Sequence, residues 1–270
     1  MVHQVTLWQL DREPGRVVVK LDRPEAVEGF QREHDALAYY RAHTSLPVPE
    51  PLACFSDGEL GVAALVMEHI DAPNLAAARL NAAGREQVDR QLAEHVAALH
   101  AHQGEAFGSP ADAAHQHGRW LDVFGPRLEA QFRAARDQLA SRHREVVEAV
   151  IRDLPAHLPE QATPTLIHGD LWATNILVDD THAGRPRVRA FIDAQPALAD
   201  AEYELAYLRL FNTAGAGFFQ TYERWHRLRP GFEHRCRVYW MQTLLLHLHR
   251  FGPAYLPMCE QVLEQLRGRS

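Results

Sequence analysis

A chain of 270 residues is long enough for one large domain or two smaller cores, and 46% hydrophobic with 23% charged residues is the composition of an ordinary globular protein. A net charge of -7 argues against nucleic acid or an anionic membrane surface as partner. No apolar run approaches the roughly 18 residues of a membrane span, and the start lacks a basic region followed by an apolar stretch. The three cysteines (Cys54, Cys236, Cys259) are odd in number and lack metal-site spacing, which fits a reduced, cytoplasmic setting.

The first seventy residues read mostly as strand. Val5–Leu10 and Val17–Lys20 are β-like runs, and the turn Arg12-Glu-Pro-Gly15 between them predicts a hairpin. Pro24–Ala42 reads as a helix, with Phe30, Leu37 and Tyr40 at helical spacing, ended by the proline-broken stretch Leu46–Pro51. Two more strands follow, around Leu52–Phe55 and Val62–Met67, and Glu68–Pro73 reads as a connector. From Leu75 helix dominates. Arg85–His102 carries Val88, Leu92, Val96 and Leu99 on one face, and Trp120–Arg142 carries Leu121, Phe124, Leu128 and Phe132. Val146–Leu154 either continues the second helix or forms a short one. Short apolar runs then surround polar residues at Leu166–Asp170, Asn175–Val178 and Val188–Ile192, and from Ala201 the chain is helical again. The expectation is an α+β fold. Residues 1–70 would form a small strand-rich lobe with one helix, and residues 71–270 a large, mainly helical lobe with one polar strand-loop-strand insert.

The insert carries the chemistry. In His168-Gly-Asp-Leu-Trp-Ala-Thr-Asn175 an Asp is followed five residues later by an Asn, the spacing of a kinase catalytic loop. Phosphoryl transfer needs a group to orient the attacking hydroxyl and hard oxygen ligands for Mg²⁺. Asp170 suits the first task. Asn175 and Asp193 suit the second, because a hairpin between them would bring them together. His168 reads as a brace for the loop rather than a catalyst. Lys20 ends a Val-Val-Val run, as does the strand lysine that contacts ATP phosphates, and Glu33 in the following helix is its expected partner over the nearby Glu25 and Glu28. The backbone at Glu68, His69 and Ile70 is placed to face the adenine, while Met67 is either part of that contact or simply core. Trp172 lines the acceptor pocket or merely packs. Gly169 stands where protein kinases have Arg, and Asp193 is followed by Ala-Gln with no D-F-G or A-P-E, so the acceptor is expected to be a small molecule.

These residues resemble the aminoglycoside phosphotransferase superfamily, which shares the protein-kinase-like fold. They are most similar to its fructosamine (ketosamine) kinase branch, through Trp172, Asp200-Ala-Glu-Tyr-Glu-Leu-Ala206, Phe218–Tyr222, Pro230–Glu233 and Leu244–Gly252. The resemblance implies a two-lobed fold with a five-stranded antiparallel N-lobe. It also implies transfer of the ATP γ-phosphoryl group, with Mg²⁺, to a hydroxyl of a ketosamine; the sequence leaves the oligomeric state open, with a monomer favoured. It carries over Asp170 as base, Asn175 and Asp193 as metal ligands, and Lys20 as phosphate contact. The chain departs from the family in having no glycine in Met1–Leu10, where a phosphate-covering turn is expected, and in Ala201, Glu204 and the short Ser109–Arg119 loop. A kinase for another amino-sugar or amino-alcohol, such as an aminoglycoside or choline, and an inactive kinase-like binding module are the rival expectations. The clustered His95, His100, His102, His115 and His117 are read as structural rather than as a metal site.

Overall fold

The computed structural model describes the backbone of residues 2–6 and residues 16–110, 112–158, 160–180 and 185–268. Along the chain run β1 (Val2–Thr6), β2 (Arg16–Asp22), α1 (Val27–His43), β3 (Pro51–Asp57), β4 (Val62–Glu68) and α2 (Ala82–His100). Then come the two-residue strands β5 (Phe107–Gly108) and β6 (Gln116–His117), followed by α3 (Trp120–Ala135), α4 (Ser141–Arg152) and α5 (Leu154–His157). β7 (Thr165–Ile167), β8 (Ile176–Asp179), β9 (Arg187–Phe191) and β10 (Ala197–Ala199) precede α6 (Ala201–Leu210), α7 (Ala216–Tyr222), α8 (Phe232–Phe251) and α9 (Leu256–Arg267). The chain forms two compact units. One comprises Met1–Leu99, His168–Pro196 and Gly215–Tyr222, the other His100–Ile167, Ala197–Ala214 and Glu223–Ser270.

In the first unit the sheet runs β1-β2-β4-β3, antiparallel throughout. β1 pairs with β2 as the expected hairpin requires, but it starts at Val2, three residues before the expected run Val5–Leu10, and shares only Val5 and Thr6 with it; Leu7–Leu10 and the turn at Arg12–Gly15 lie outside the described residues. Among the described residues the sheet has four strands, one fewer than the family resemblance implies. β4 is central, and its buried run Ala63, Ala64, Leu65 and Met67 is continuous rather than alternating. Such a run belongs to a strand covered on both faces. A 3₁₀ turn at Pro24–Ala26, whose proline presets φ, leads into α1, which buries Ala36, Leu37 and Tyr40. Each large apolar side chain so buried contributes about 1.5–3 kcal/mol, so this stripe fixes which way α1 faces. β8 and β9 form the hairpin expected between Asn175 and Asp193, with Ile176 opposite Phe191. Bonds from Leu75 N–H to the Ile176 carbonyl and from Val178 N–H to the Pro73 carbonyl tie it to the chain after β4.

The second unit centres on α8, which buries residues all round, from Cys236 and Val238 to Leu244, Leu245 and Leu248, as a helix enclosed by others does. α3, α6 and α9 pack against it, and a short antiparallel sheet β6-β5-β10-β7 completes the unit. The helix expected over Trp120–Arg142 ends at Ala135. After a 3₁₀ turn at Arg136–Gln138 the chain turns extended at Leu139 and Ala140, and α4 then begins. Burying Leu139 (3% exposed), whose carbonyl accepts from Arg144 Nε, takes the chain out of the helix. The residues around the break favour helix, so their periodicity conceals it. Among the described residues no helix is long and apolar enough to cross a membrane.

Candidate active site

Lys20 sits near the end of β2, between β1 and β4 in the sheet. Glu33 lies one helical turn before the buried Leu37, so the stripe that anchors α1 aims Glu33 at the sheet. Its Oε1 accepts from Lys20 Nζ at 2.5 Å, while Glu25 and Glu28 are exposed. Lys20 Nζ also bonds Asp193 Oδ1. The Lys20 and Glu33 side chains are each 17% exposed and that of Asp193 40%. Burial opposes the charge on Lys20, but Glu33 and Asp193 outweigh it and raise the amine above its usual range. Burial pushes the Glu33 carboxyl up, against the pull of Lys20.

The polar loop follows β7. Gly169 takes φ +86°, and His168 beside it is fully buried, 6.4 Å from the Tyr40 ring and 6.0 Å from Phe191. His168 Nδ1 accepts the Asp170 N–H at 3.3 Å, so the histidine braces the loop. Asn175 closes a 3₁₀ turn and is buried. Its Nδ2 donates to the Asp170 carbonyl at 2.9 Å and to Asp170 Oδ2 at 3.2 Å. That fixes the amide's orientation and leaves Asn175 Oδ1 with only the Thr174 hydroxyl, at 3.4 Å, among the described residues. The β8–β9 register brings Ile192 N–H to the Asn175 carbonyl at 3.0 Å, and the next residue, Asp193, takes φ +57°, uncommon for a residue with a side chain. Asp170, Asn175, Asp193, Lys20 and Glu33 therefore form one connected group within the first unit.

This donor set fits Mg²⁺, which takes one or two carboxylates and phosphate oxygens rather than an all-protein cage. Asn175 Oδ1 and the second oxygen of Asp193 are hard oxygens on adjoining segments. Among the described residues no cluster of three His, Cys, Asp or Glu could hold a metal ion, the histidine-rich stretch included. Trp172 is 40% exposed two residues after Asp170. At the end of β4 the Glu68 N–H donates to the Glu50 carbonyl and the His69 N–H to the Arg16 carbonyl, whereas the Ile70 N–H makes no hydrogen bond among the described residues. Sequence reasoning passed over Gln195, whose N–H donates to the His168 carbonyl at 2.8 Å. The only hint in the sequence was the glycine between His168 and Asp170.

The fructosamine kinase family model matches residues 2–268. The chain is 28% identical to a probable ketoamine kinase of Enterococcus faecium over 257 residues, 89% of this chain and 84% of that protein. It is 26% identical to the ketosamine-3-kinase of Mus musculus over 276 residues, covering 91% and 86%. A crystal structure from Thermobifida fusca, provisionally named a fructosamine-3-kinase, superposes with a TM-score of 0.76 at 21% identity, covering 100% of this chain and 94% of that one. An aminoglycoside-3'-phosphotransferase of type VIII superposes at 0.58, covering 92% and 93%, so the fold is that of the protein-kinase-like phosphotransferases. With its family model matched almost end to end, this chain belongs to the fructosamine kinase family.

Proposed function

We propose that this protein transfers the γ-phosphoryl group of ATP to a hydroxyl of a ketosamine, with Asp170 as the group that accepts the hydroxyl proton. One observation carries this reading: on the first unit the pair Asp170–Asn175 and the trio Lys20–Glu33–Asp193 are each hydrogen-bonded, and the Ile192 N–H bond to the Asn175 carbonyl joins them one residue before Asp193. Lys20 holds the phosphates, and Glu33 keeps its ammonium in place. Asn175 Oδ1 and Asp193 hold Mg²⁺, which when bound neutralises charge on the phosphates. The Ile70 N–H is the remaining backbone donor for the adenine edge, beside Glu68 and His69. Trp172 offers a ring face to the acceptor next to Asp170.

Asp170 reaches the acceptor proton only if it is held in place. Two N–H donors from Asn175 and the backbone bond to His168 supply that fixing. Catalysis then rests on positioning and on cations placed where charge builds up. The test is Mg²⁺-dependent ADP release with fructosyl-lysine, ribulosyl-lysine, an aminoglycoside and choline as acceptors. Turnover is expected on a ketosamine, falling about 10²–10⁴-fold in Asp170→Ala while the melting temperature holds. Turnover on another acceptor alone would discard the ketosamine. Full activity in Asp170→Ala would discard the base.

A further inference from the structure

Asp170 and Asp193 lie on separate segments, and a closed circuit of short links joins them. The Asn175 side chain bonds Asp170, the Asn175 carbonyl accepts from Ile192 N–H, and the chain runs through Asp193 and the buried Ala194 to Gln195. Gln195 N–H returns to the His168 carbonyl, and Gly169 leads back to Asp170. At the point of closure the two backbones touch. A Cβ built on Gly169 would fall 2.1 Å from the Gln195 carbonyl oxygen and 3.0 Å from its carbon. The obstacle is main chain, which cannot swing aside as a long side chain would. The left-handed φ of +86° adds a second demand for glycine.

We propose that Gly169 and Gln195 form a positioning clasp that sets the separation of Asp170 and Asp193. The proposal rests on the phosphoryl-transfer reading above. A side chain at 169 forces the clasp open by about an ångström, and a displacement of that size costs a reaction roughly 10²-fold. Neither residue need touch a substrate. The loss should therefore appear in kcat, with KM for nucleotide and acceptor little changed.

The test compares Gly169→Ala, Gly169→Asn and Asp170→Ala by steady-state kinetics and thermal unfolding. Asparagine enters the left-handed region more readily than alanine but carries the same Cβ. Both position-169 variants should lose about 10²-fold in kcat and keep KM. Recovery of near wild-type kcat by Gly169→Asn would leave φ as the only demand and overturn the clasp, as would a loss confined to KM. Asp170→Ala separates the layers: if that variant remains active the phosphoryl-transfer reading fails first, whatever position 169 does. Should the position-169 variants not fold, amide hydrogen exchange on the wild-type chain decides. Slow exchange at the Gln195 N–H is expected, and exchange as fast as at an exposed loop amide would overturn the clasp.

Discussion

The charged cluster around Lys20 and the one around Glu202 are built to opposite rules. In the first unit one lysine serves two carboxylates, and Asp193 stays 40% exposed in a left-handed conformation. In the second unit Glu202 is held by two guanidinium groups. Arg235 donates to it through Nε at 2.5 Å and Nη2 at 3.0 Å, and Arg229 through Nε at 3.1 Å. Asp200 caps α6 by accepting the Glu202 N–H, and it also takes bonds from Arg229 and from the Tyr239 hydroxyl. The second cluster saturates its carboxylates with donors. The first leaves Asn175 Oδ1 with only a 3.4 Å contact to the Thr174 hydroxyl among the described residues, and Asp193 40% exposed, as a candidate site rather than a scaffold would.

The largest effect should come from unbalancing the saturated cluster. Glu202 and Arg235 are only 5% and 6% exposed. Glu202→Gln leaves Arg235 without its carboxylate, while Arg229 keeps Asp200, and breaking a buried pair in this way costs about 3–5 kcal/mol. Chemical denaturation should show that loss. A loss below about 1 kcal/mol, the range of exposed pairs, would mean the two clusters do not differ. Lys20→Met should behave the other way round. If Lys20 meets the phosphates as proposed, activity should fall about 10²–10³-fold. The folded chain should tolerate it better than Glu202→Gln, because a half-exposed Asp193 regains water and Glu33 can take a proton. A stability loss equal to that of Glu202→Gln, with activity intact, would reverse the assignment of roles.

Much of the first cluster was legible in the sequence because its pieces are local, although Lys20 and Asp193 meet across 173 residues. The Asp170-to-Asn175 spacing, the hairpin to Asp193 and the helical register of Glu33 with Leu37 all follow from short-range pattern. The second cluster was not legible. Asp200-Ala-Glu202 stood out only as a family mark, and its partners Arg229 and Arg235 lie 29 and 33 residues further on with nothing in their surroundings to announce them. Ala201 stands between two carboxylates, Asp200 and Glu202, and Arg229 bridges both from a distant segment. The break at Leu139 escaped for a related reason, since a buried leucine and one carbonyl bond from Arg144 decide it against residues that favour helix. What pattern could not reach were contacts made by the third dimension alone.

Acid titration gives the finest version of the contrast. Burial alone would raise the Glu202 carboxyl, but Arg235 and Arg229 overcome it and hold the pKa below the ordinary value of 4.5. A depressed pKa means that this stabilisation is fully present above about 4.5 and drains away as pH falls through the lower, folded-state value. Glu33 is raised by burial, so its contribution has the opposite sign: the folded chain gains on the unfolded one as pH falls toward 4.5. Melting temperatures measured from pH 7 downward should therefore begin to converge for wild type and Glu202→Gln below pH 4.5 and meet once pH has passed the lower folded-state value, because protonating Glu202 and deleting its charge both leave Arg235 without a carboxylate. Wild type and Glu33→Gln should not converge in that way. A constant gap between wild type and Glu202→Gln down to acid unfolding would show that the arginines hold the neutral carboxyl as firmly as the charged one, leaving packing rather than charge as the basis of the scaffold cluster.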